Sequence, residues 1–293
     1  MRLFSKTVLA GITLVTVLVI RQAVQTHDDS GQRLLTQAFG TISKTSSENL
    51  NLNNISSEDI HSALPASVAG MELVFADEFD GPQVDRRKWL TRYIDARTNY
   101  GNQEAQYYVD DAFEFMDGCL RIRAEKRNVA GFEYTSGLLS SNTKFVFQYG
   151  YMEIRAKVPS GQGLWPAFWL LRQGPWPPEI DVFEVLGHEP DTIHMSVHYE
   201  DSQGNAQSTT GAYRAADFSK DFHIFAAHWT PTEITWYVDG VERYRINQNV
   251  PQVPMYVLIN LAVGGNWPGY PDDSTPFPSY LDVDYVRIYQ HRG

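Results

Sequence analysis

Hydrophobic and polar positions alternate with a period of two through much of the chain after Met71. Apolar side chains occupy every second position of residues 151–158, and residues 280–289 have the composition of another strand. Residues 234–244 contain Asp239-Gly240, a dipeptide typical of a two-residue hairpin turn. No long window has a helical period, and turn residues are frequent. The pattern therefore predicts an all-β domain built as a two-sheet sandwich.

The first 25 residues predict an export signal. Arg2 and Lys6 precede an apolar run over residues 8–20, which is shorter than the roughly 20 residues of a membrane-spanning helix. An arginine follows at once, and no clean cleavage site is present. An uncleaved signal-anchor is therefore the alternative for residues 1–25. Both interpretations export the rest of the chain, to an extracellular or periplasmic location, and the second tethers it to a membrane.

Residues 26–69 are predicted to be a flexible linker. Between Thr26 and Pro65 the sequence is rich in Ser, Thr, Asn, Gln and acidic residues, and Phe39 is its only aromatic residue. Such a segment buries too little apolar area to offset its ordering entropy. A short amphipathic helix is the alternative. The folded domain is predicted to span residues 70–293, a length within the range of one all-β domain.

Charge and cysteine content exclude several classes of protein. The chain has 24 Lys+Arg against 35 Asp+Glu, and this net charge of −11 predicts no nucleic-acid partner because phosphates would repel it. The single cysteine, Cys119, excludes an internal disulfide framework and a multi-cysteine metal site. Aromatic residues make up 13% of the chain, which is typical of sugar-handling proteins or of interfaces. No oligomerisation signal is present, so we expect a monomer.

Three carboxylates interrupt an apolar, strand-like run at residues 177–184. In a regular strand Glu179 and Asp181 share one face, while Glu184 points to the other. One bulged residue would return Glu184 to the face of Glu179, with Asp181 between them. Neighbouring carboxyls raise each other's pKa values and share protons, so one group can be ionised and another protonated near neutral pH. Acid–base cleavage of an acetal needs that combination.

The same three acids have other interpretations. An acidic edge strand or a calcium-binding loop would also contain carboxylates at this spacing. A retaining glycosidase needs its two carboxyls about 5–5.5 Å apart, whereas an inverting one leaves room for a water molecule. The spacing E-x-D-x-x-E does not fix that distance, and it is short enough to occur by chance. The choice therefore depends on the residues around it.

Aromatic and histidine residues flank the acids on both sides in the sequence. Trp165 and Trp169 have the same strand parity, so both indoles can face one surface while Phe168 faces the other. Indole faces stack on sugar rings, although both residues could equally be core tryptophans. Downstream, His194 and His198 share one face. A histidine beside an acidic groove can orient a carboxylate or a sugar hydroxyl, although a lone histidine is usually structural.

Taken together, these residues resemble glycoside hydrolase family 16 in its bulged E-x-D-x-x-E form. The resemblance rests on Glu179-Ile-Asp-Val-Phe-Glu184 and on the preceding Gly163-Leu-Trp-Pro-Ala-Phe-Trp169. Further motifs in the family's order lie at residues 74–81, 100–108, 117–124, 149–157, 239–240, 260–269 and 283–289. The likeness therefore covers nearly the whole predicted domain.

The resemblance implies a concanavalin-like jelly-roll sandwich of two antiparallel sheets, with a glycan cleft on the concave sheet. It implies that Glu179 is the nucleophile that forms a glycosyl-enzyme, that Glu184 is the acid/base, and that Asp181 holds the orientation and charge of the nucleophile. Hydrolysis would proceed with retention and would require no cofactor. The resemblance also implies substrate contacts from Trp165, Trp169 and His198 near the cleaved sugar, and from Asn102 and Trp267 at the outer walls.

A structural calcium ion on the convex face is a further implication of the resemblance, because members of the family often carry one. Its ligands would be the backbone carbonyls of Glu78 and Gly118 and the side chain of Asp284. Two of these three ligands are backbone oxygens, which any residue supplies. The residue types at these positions therefore carry little information about the ion.

Within the family, the bulged motif and residues 264–269 are most similar to bacterial laminarinases, which are endo-β-1,3(4)-glucanases. Pro178, Leu138 and Glu114 depart from the family's pattern, which usually has Gly, a glucan-contacting Arg and Asn at these positions. One alternative is an endo-glycanase or transglycosylase that acts on a bacterial exopolysaccharide. Another is a non-hydrolytic glucan-binding protein, although such relatives usually lose a catalytic acid, and all three acids are present here.

Overall fold

The computed structural model describes residue 65 and residues 68–292, and within them it contains sixteen β-strands and no α-helix. The strands, in chain order, are β1 Glu72–Asp77, β2 Gln106–Tyr108, β3 Phe113–Met116, β4 Cys119–Val129, β5 Phe132–Ser136, β6 Leu138–Ser140, β7 Gly150–Lys157, β8 Leu164–Arg172, β9 Glu179–Glu184, β10 Thr192–Glu200, β11 Ala206–Arg214, β12 His223–Trp229, β13 Ile234–Val238, β14 Val241–Ile246, β15 Met255–Val263 and β16 Ser279–Gln290. The predicted all-β class is confirmed.

The strands form two sheets that pack face to face as a jelly-roll sandwich. The ten-stranded sheet has the order β14-β13-β12-β7-β16-β4-β5-β2, with β1 also paired to β16 and β3 to β4. The six-stranded sheet has the order β11-β10-β9-β8-β15-β6. All strand pairs are antiparallel except β2 with β5, which is parallel. This pair departs from the expected antiparallel sheets because the β3–β4 hairpin separates β2 from β5 and returns the chain in the same direction.

The hydrophobic core lies between the two sheets and follows the period-two pattern of the sequence. On β7 the apolar residues Met152, Ile154 and Ala156 are fully buried, and on β8 Phe168 is buried among them. Each fully buried large apolar side chain contributes about 1.5–3 kcal/mol of transfer free energy. Because these positions are fixed in the core, the alternate residues of β8 and β9 point out of the sandwich on the face of the six-stranded sheet.

The β13–β14 hairpin has the predicted turn. Asp239 and Gly240 lie between the two strands, with φ angles of 51° and 73°. Positive φ at both central residues is the signature of a type I′ turn, whose twist matches the twist of the strands. Asparagine, aspartate and glycine tolerate this conformation best, and the sequence pattern therefore located the turn correctly.

The predicted export signal at residues 1–25 and most of the predicted linker lie outside the described residues. Val68, which falls within the predicted linker, is 1% exposed and packs with Met71 against Tyr151 on the outer face of the ten-stranded sheet. Packing against the domain is therefore already present two residues before position 70. In the part of the chain that the structure describes, no helix has the length and apolar character to cross a membrane.

Candidate active site

A β-bulge on β9 places the three acids on one face. Glu179 lies opposite His198 of β10, Asp181 opposite Ser196, and Glu184 opposite His194. The three partners on β10 are spaced by two residues, whereas β9 uses one extra residue between Asp181 and Glu184. The extra residue allows Val182 and Phe183 both to enter the core. The predicted bulge is therefore present, and it aligns the carboxyls along the outer face of the six-stranded sheet.

Glu179 and Glu184 lie on the floor of a cavity of about 850 Å³ above the six-stranded sheet, and Asp181, which is 1% exposed, is buried between them in β9. Strands β8, β9, β10 and β15 form its floor, and the loop before β2 forms one wall. Of the residues predicted to bind substrate, all five line this cavity: Asn102, Trp165, Trp169, His198 and Trp267. A cavity of this size accommodates several sugar rings. The structure thus brings Glu179 and Glu184 together with the five predicted substrate-binding residues in one cleft, with Asp181 buried between the two glutamates.

Burial and mutual repulsion shift the titration of all three acids. Burial raises the pKa of Glu179 well above its usual range, and the neighbouring Asp181 carboxylate raises it further. The pKa of Glu184 rises in the same way, through burial first and then through Asp181 and Glu179. Burial raises the pKa of Asp181 to about 7. Each pKa is raised, and those of Glu179 and Glu184 are raised in part by neighbouring carboxyls, which agrees with the mutual effect that the sequence predicted.

Three tryptophans hold the acidic strand by indole hydrogen bonds. Trp176 Nε1 donates to Glu179 Oε2 at 2.7 Å, and Trp165 Nε1 donates to Glu184 Oε1 at 3.1 Å. Trp236 Nε1, from the ten-stranded sheet, donates to the backbone oxygen of Asp181 at 2.8 Å. This last bond crosses the core and fixes the backbone beside the bulge. Sequence reasoning did not identify Trp176, although a tryptophan three residues before the first glutamate was the available signal.

His198 lies against the acids from the neighbouring strand. Its Nε2 is 3.2 Å from Asp181 Oδ2 and 4.0 Å from Glu179 Oε1. A carboxylate oxygen of Glu179, a carboxylate oxygen of Asp181 and a ring nitrogen of His198 all lie within 4.8 Å of one another. His194 has a different environment, because its ring packs against Trp267 with centroids 4.8 Å apart. Of the two histidines, His198 is therefore the one positioned to influence the charge of the acids.

Trp169 forms the floor of the cleft, and most of its surface is buried. Its side chain is 9% exposed and packs with Tyr108 and Leu138 in a small cluster beneath the cavity. Its Nε1 donates to Asn260 Oδ1 at 2.7 Å, so this polar group is already satisfied within the protein. Trp169 therefore offers a sugar an apolar surface without a free hydrogen-bond donor. The residue lines the cleft and also packs in a buried cluster, so both sequence-based interpretations of it, cleft residue and core residue, are partly correct.

A buried carboxylate supports the wall that contains Asn102. Glu104 is 8% exposed, and its Oε1 accepts a hydrogen bond from Asn102 Nδ2 at 3.1 Å. Its Oε2 accepts from Gln106 Nε2 at 2.6 Å and, more weakly, from the Tyr108 hydroxyl at 3.4 Å. Burial raises the pKa of Glu104. Because Asn260 Nδ2 donates to the Tyr108 hydroxyl at 3.1 Å, one hydrogen-bond network joins the wall to the floor. Sequence reasoning missed Glu104.

The comparison with known families decides the identity of the fold. The sequence profile of Glycosyl hydrolases family 16 matches residues 97–287, which include the acidic strand and the whole cleft floor. The chain belongs to glycosyl hydrolase family 16. A second profile, Beta-glucan synthesis-associated protein SKN1/KRE6/Sbg1, matches residues 3–174 and ends before the first acid of this family 16 site.

Bacterial members of family 16 are similar to this chain over most of its folded part. The Beta-glucanase of Rhodothermus marinus is 39% identical over 247 residues, covering 75% of this chain and 85% of that protein. Endo-1,3-1,4-beta-glycanase EglC of Rhizobium meliloti is 36% identical over 278 residues, and the match spans 58% of its length. The laminarinase catalytic domain from Thermotoga maritima superimposes with a TM-score of 0.69 at 35% identity, covering 76% of this chain and 99% of that domain.

Two of the departures from the family 16 pattern lie outside the cleft. Leu138 is fully buried beneath the floor, in the cluster that contains Trp169. Glu114 lies on the ten-stranded sheet, where its carboxylate is 2.5 Å from Arg123. Pro178 directly precedes Glu179 at the start of β9. Residues 138 and 114 therefore add no charged group to the cavity.

The three positions implied for a family 16 calcium ion are near one another in the register of the ten-stranded sheet. Asp77 at the end of β1 pairs with Val286, and Leu120 near the start of β4 pairs with Val283, so the register places Glu78 and Gly118 near Asp284. Asp284 is close enough to help raise the pKa of the Cys119 thiol, although burial is the main cause. Backbone carbonyls and a carboxylate suit calcium. The Asp284 carboxylate also pairs with Arg155, so a calcium ion bound here would share that carboxylate with the Arg155 guanidinium.

Proposed function

We propose that this family 16 chain is a retaining endo-β-glucanase that hydrolyses β-1,3-glucan and mixed β-1,3/1,4-glucan. The observation that supports this most directly is the bulged row of Glu179, Asp181 and Glu184, whose two glutamates lie on the floor of a tryptophan-lined cleft. Related proteins carry the names Beta-glucanase, Endo-1,3-1,4-beta-glycanase and Glucan endo-1,3-beta-glucosidase A1. A binding protein without activity would not need buried carboxyls such as Asp181 and Glu184, because burial of a carboxyl is costly.

In the first step of the proposed reaction, the Glu179 carboxylate attacks the anomeric carbon of the bound sugar. Glu184 in its protonated form donates its proton to the glycosidic oxygen, and the bond from that oxygen to the anomeric carbon breaks. The raised pKa of Glu184 keeps the proton available near neutral pH. The products are a glycosyl ester on Glu179 and a free chain that leaves the cleft.

In the second step, Glu184 is ionised and accepts a proton from a water molecule. The resulting hydroxide equivalent attacks the anomeric carbon, and Glu179 leaves as a carboxylate. Asp181 can exchange a proton with its neighbours, since burial raises its pKa to about 7. Its position between the two glutamates therefore allows the total charge of the row to stay nearly constant while each glutamate changes state. We propose this as the role of Asp181.

The charge of the cleft supports a neutral polysaccharide as the substrate. Glu104, Glu179 and Glu184 line the cavity, and among its described lining residues there is no lysine or arginine. A polymer with sulfate or carboxylate groups would meet repulsion without a compensating cation. A neutral glucan can instead stack on Trp165, Trp176 and Trp267, whose rings form the sides of the cleft.

The decisive experiment is product analysis with the full chain on laminarin, barley mixed-linkage glucan, agarose and carboxymethyl-cellulose. We expect short oligosaccharides from laminarin, from mixed-linkage glucan, or from both, and none from carboxymethyl-cellulose. The matched control is Glu179→Gln, which keeps the shape of the side chain and removes the nucleophile. Absence of cleavage by a folded wild-type protein would contradict the proposal and point to an exopolysaccharide substrate. Longer products in the presence of oligosaccharide acceptors would instead identify a transglycosylase.

We also propose that the chain is exported and monomeric, and that it carries a structural calcium ion. The basic residues and apolar run within residues 1–25 support export, and the strand register that places Glu78 and Gly118 near Asp284 supports the ion. The ion would stabilise the junction of β1, β4 and β16 and would take no part in the reaction. Cell fractionation with N-terminal sequencing of the mature protein distinguishes a cleaved signal from a membrane anchor. Light scattering measures the mass in solution.

A further inference from the structure

Each catalytic glutamate of the proposed mechanism has its own tryptophan donor. Trp176, on the loop before β9, donates its indole N–H to Glu179, and Trp165, on β8, donates to Glu184. The two donors approach from different elements and reach different carboxyls, so they form two separate contacts. Trp176 is 52% exposed and lines the cleft, so its ring is accessible to a ligand while its N–H holds Glu179.

We propose that Trp176 and Trp165 are positioning residues that hold Glu179 and Glu184 in place and stabilise the ionised form of each carboxyl separately. The proposal rests on the function assigned above to the two glutamates. An N–H donor favours a carboxylate over a carboxylic acid, because the bond to the charged acceptor is the stronger one. Trp176 thus favours a nucleophile that is ready to attack. Trp165 limits how firmly Glu184 retains its proton.

The surroundings of the two carboxyls leave few other donors that could take over. Glu179 shares a side-chain hydrogen bond with Asp181, which raises the pKa of Glu179, and it also faces Glu184 along β9 and His198 on β10. The hydroxyls of Tyr93 and Tyr256 lie near enough for charge interactions. Glu184 faces the same acids along β9, and His194 is its partner in the register of β10. Trp165 is the side chain that donates to Glu184, and Trp176 is the neutral donor to Glu179.

Removal of the Trp176 donor is expected to move the acid limb of the pH profile of kcat/KM, and removal of the Trp165 donor is expected to move the basic limb. Trp176→Phe keeps an aromatic ring and removes the N–H, so the pKa of Glu179 rises and the acid limb moves up by about one pH unit. Trp165→Phe raises the pKa of Glu184, so the basic limb moves up by about one pH unit and activity extends to higher pH. A merely structural role would lower activity at all pH values and move neither limb.

Trp267→Phe is the matched control for loss of an indole. Trp267 lines the same cleft, is 42% exposed, and packs its ring edge-on against Trp165 with centroids 5.5 Å apart. Within the described hydrogen bonds, its indole donates to neither catalytic carboxyl. We expect Trp267→Phe to raise KM for glucan and to leave both limbs in place.

The test combines pH profiles with a direct titration of the carboxyls. The wild type, Trp176→Phe, Trp165→Phe and Trp267→Phe are assayed from pH 4 to pH 10, and thermal unfolding checks that each variant is folded. The same proteins, labelled with ¹³C at the glutamate carboxyls, are titrated by NMR. Upward movement of only the acid limb in Trp176→Phe and only the basic limb in Trp165→Phe supports the proposal.

Two failures can be distinguished by this design. If the wild type is active but Trp176→Phe raises KM and moves neither its acid limb nor the Glu179 titration, Trp176 is only a sugar-stacking wall and the proposal is wrong. If the wild type cleaves no glucan, the proposed function fails, and the NMR titration alone still decides whether each indole lowers the pKa of its partner. If Trp165→Phe does not fold, the pH profile and the Glu179 titration of Trp176→Phe test the proposal on their own, since Trp176 is exposed.

Discussion

Replacement of Asp181 by asparagine is expected to make the protein more stable at neutral pH and less active. The Asp181 side chain is 1% exposed, and burial raises its pKa from 3.8 to about 7. Between these two pH values the folded protein holds a proton on Asp181 that the unfolded chain releases. The free energy of unfolding therefore falls as pH rises from about 4 to about 7. Asparagine has no proton to lose and avoids this cost.

The size of the effect follows from the two pKa values. The difference between 3.8 and about 7 corresponds to at most about 4 kcal/mol at pH 8. Asparagine loses the contact with His198 Nε2, 3.2 Å away, and must find partners for its own amide. We therefore expect a net gain of about 2 kcal/mol at pH 8. In a domain of this size that gain raises Tm by about 4–8 °C.

The assay is thermal unfolding of the wild type and Asp181→Asn at pH 4, 6 and 8, followed by calorimetry. The gain in Tm should be absent at pH 4, intermediate at pH 6 and complete at pH 8. Asp201→Asn is the control, because backbone N–H groups of Asn205 and Gln203 lower the pKa of this exposed carboxyl, and its loss should give no gain at pH 8. An equal gain at all three pH values, or none at pH 8, would refute the reasoning.

Further predictions concern the roles of individual residues. Azide should restore turnover to Glu179→Ala and yield a glycosyl azide of inverted anomer, and an inverted product from Glu184→Ala instead would reverse the two roles. In Glu104→Gln one acceptor oxygen is replaced by an NH₂ donor that faces other donors, so KM for glucan should rise about tenfold or more while kcat changes less. Unchanged steady-state kinetics would contradict a role of Glu104 in supporting the wall that contains Asn102. Calcium should raise Tm in the wild type but not in Asp284→Ala, with kcat unchanged in both; an identical response of the two proteins would exclude this site.

The acidic strand could be predicted from the sequence because it breaks a simple rule. A regular strand would have pointed Glu184 away from Glu179 and Asp181, and a carboxylate without a partner in a core costs several kcal/mol, so the spacing favoured a bulge. The structure has that bulge, and the strand parity of Trp165 and Trp169 held as well. Local patterns of this kind depend on neighbours within a few residues, and the sequence displays them directly.

The supports of the cleft could not be predicted in the same way. The bond from Trp169 to Asn260 joins residues 91 positions apart, and the bond from Asn260 to Tyr108 joins residues 152 positions apart. No local period encodes such pairs, because they form only after β8, β15 and β2 have been brought together. The contact from Trp176 to Glu179 spans only three residues. It nevertheless depends on the path of a proline-rich loop, which the alternation of polar and apolar residues does not describe.

Four polar side chains of the cleft donate hydrogen bonds within the protein, and this restricts how a glucan can be selected. The indole N–H groups of Trp165 and Trp176 bond to catalytic acids, and that of Trp169 bonds to Asn260. Asn102 donates to Glu104. These donors are not free for sugar hydroxyls, so stacking and the shape of the cavity supply part of the discrimination. Such contacts separate similar neutral substrates by only about 1–3 kcal/mol, so we expect the cleft to accept both β-1,3 and mixed linkages.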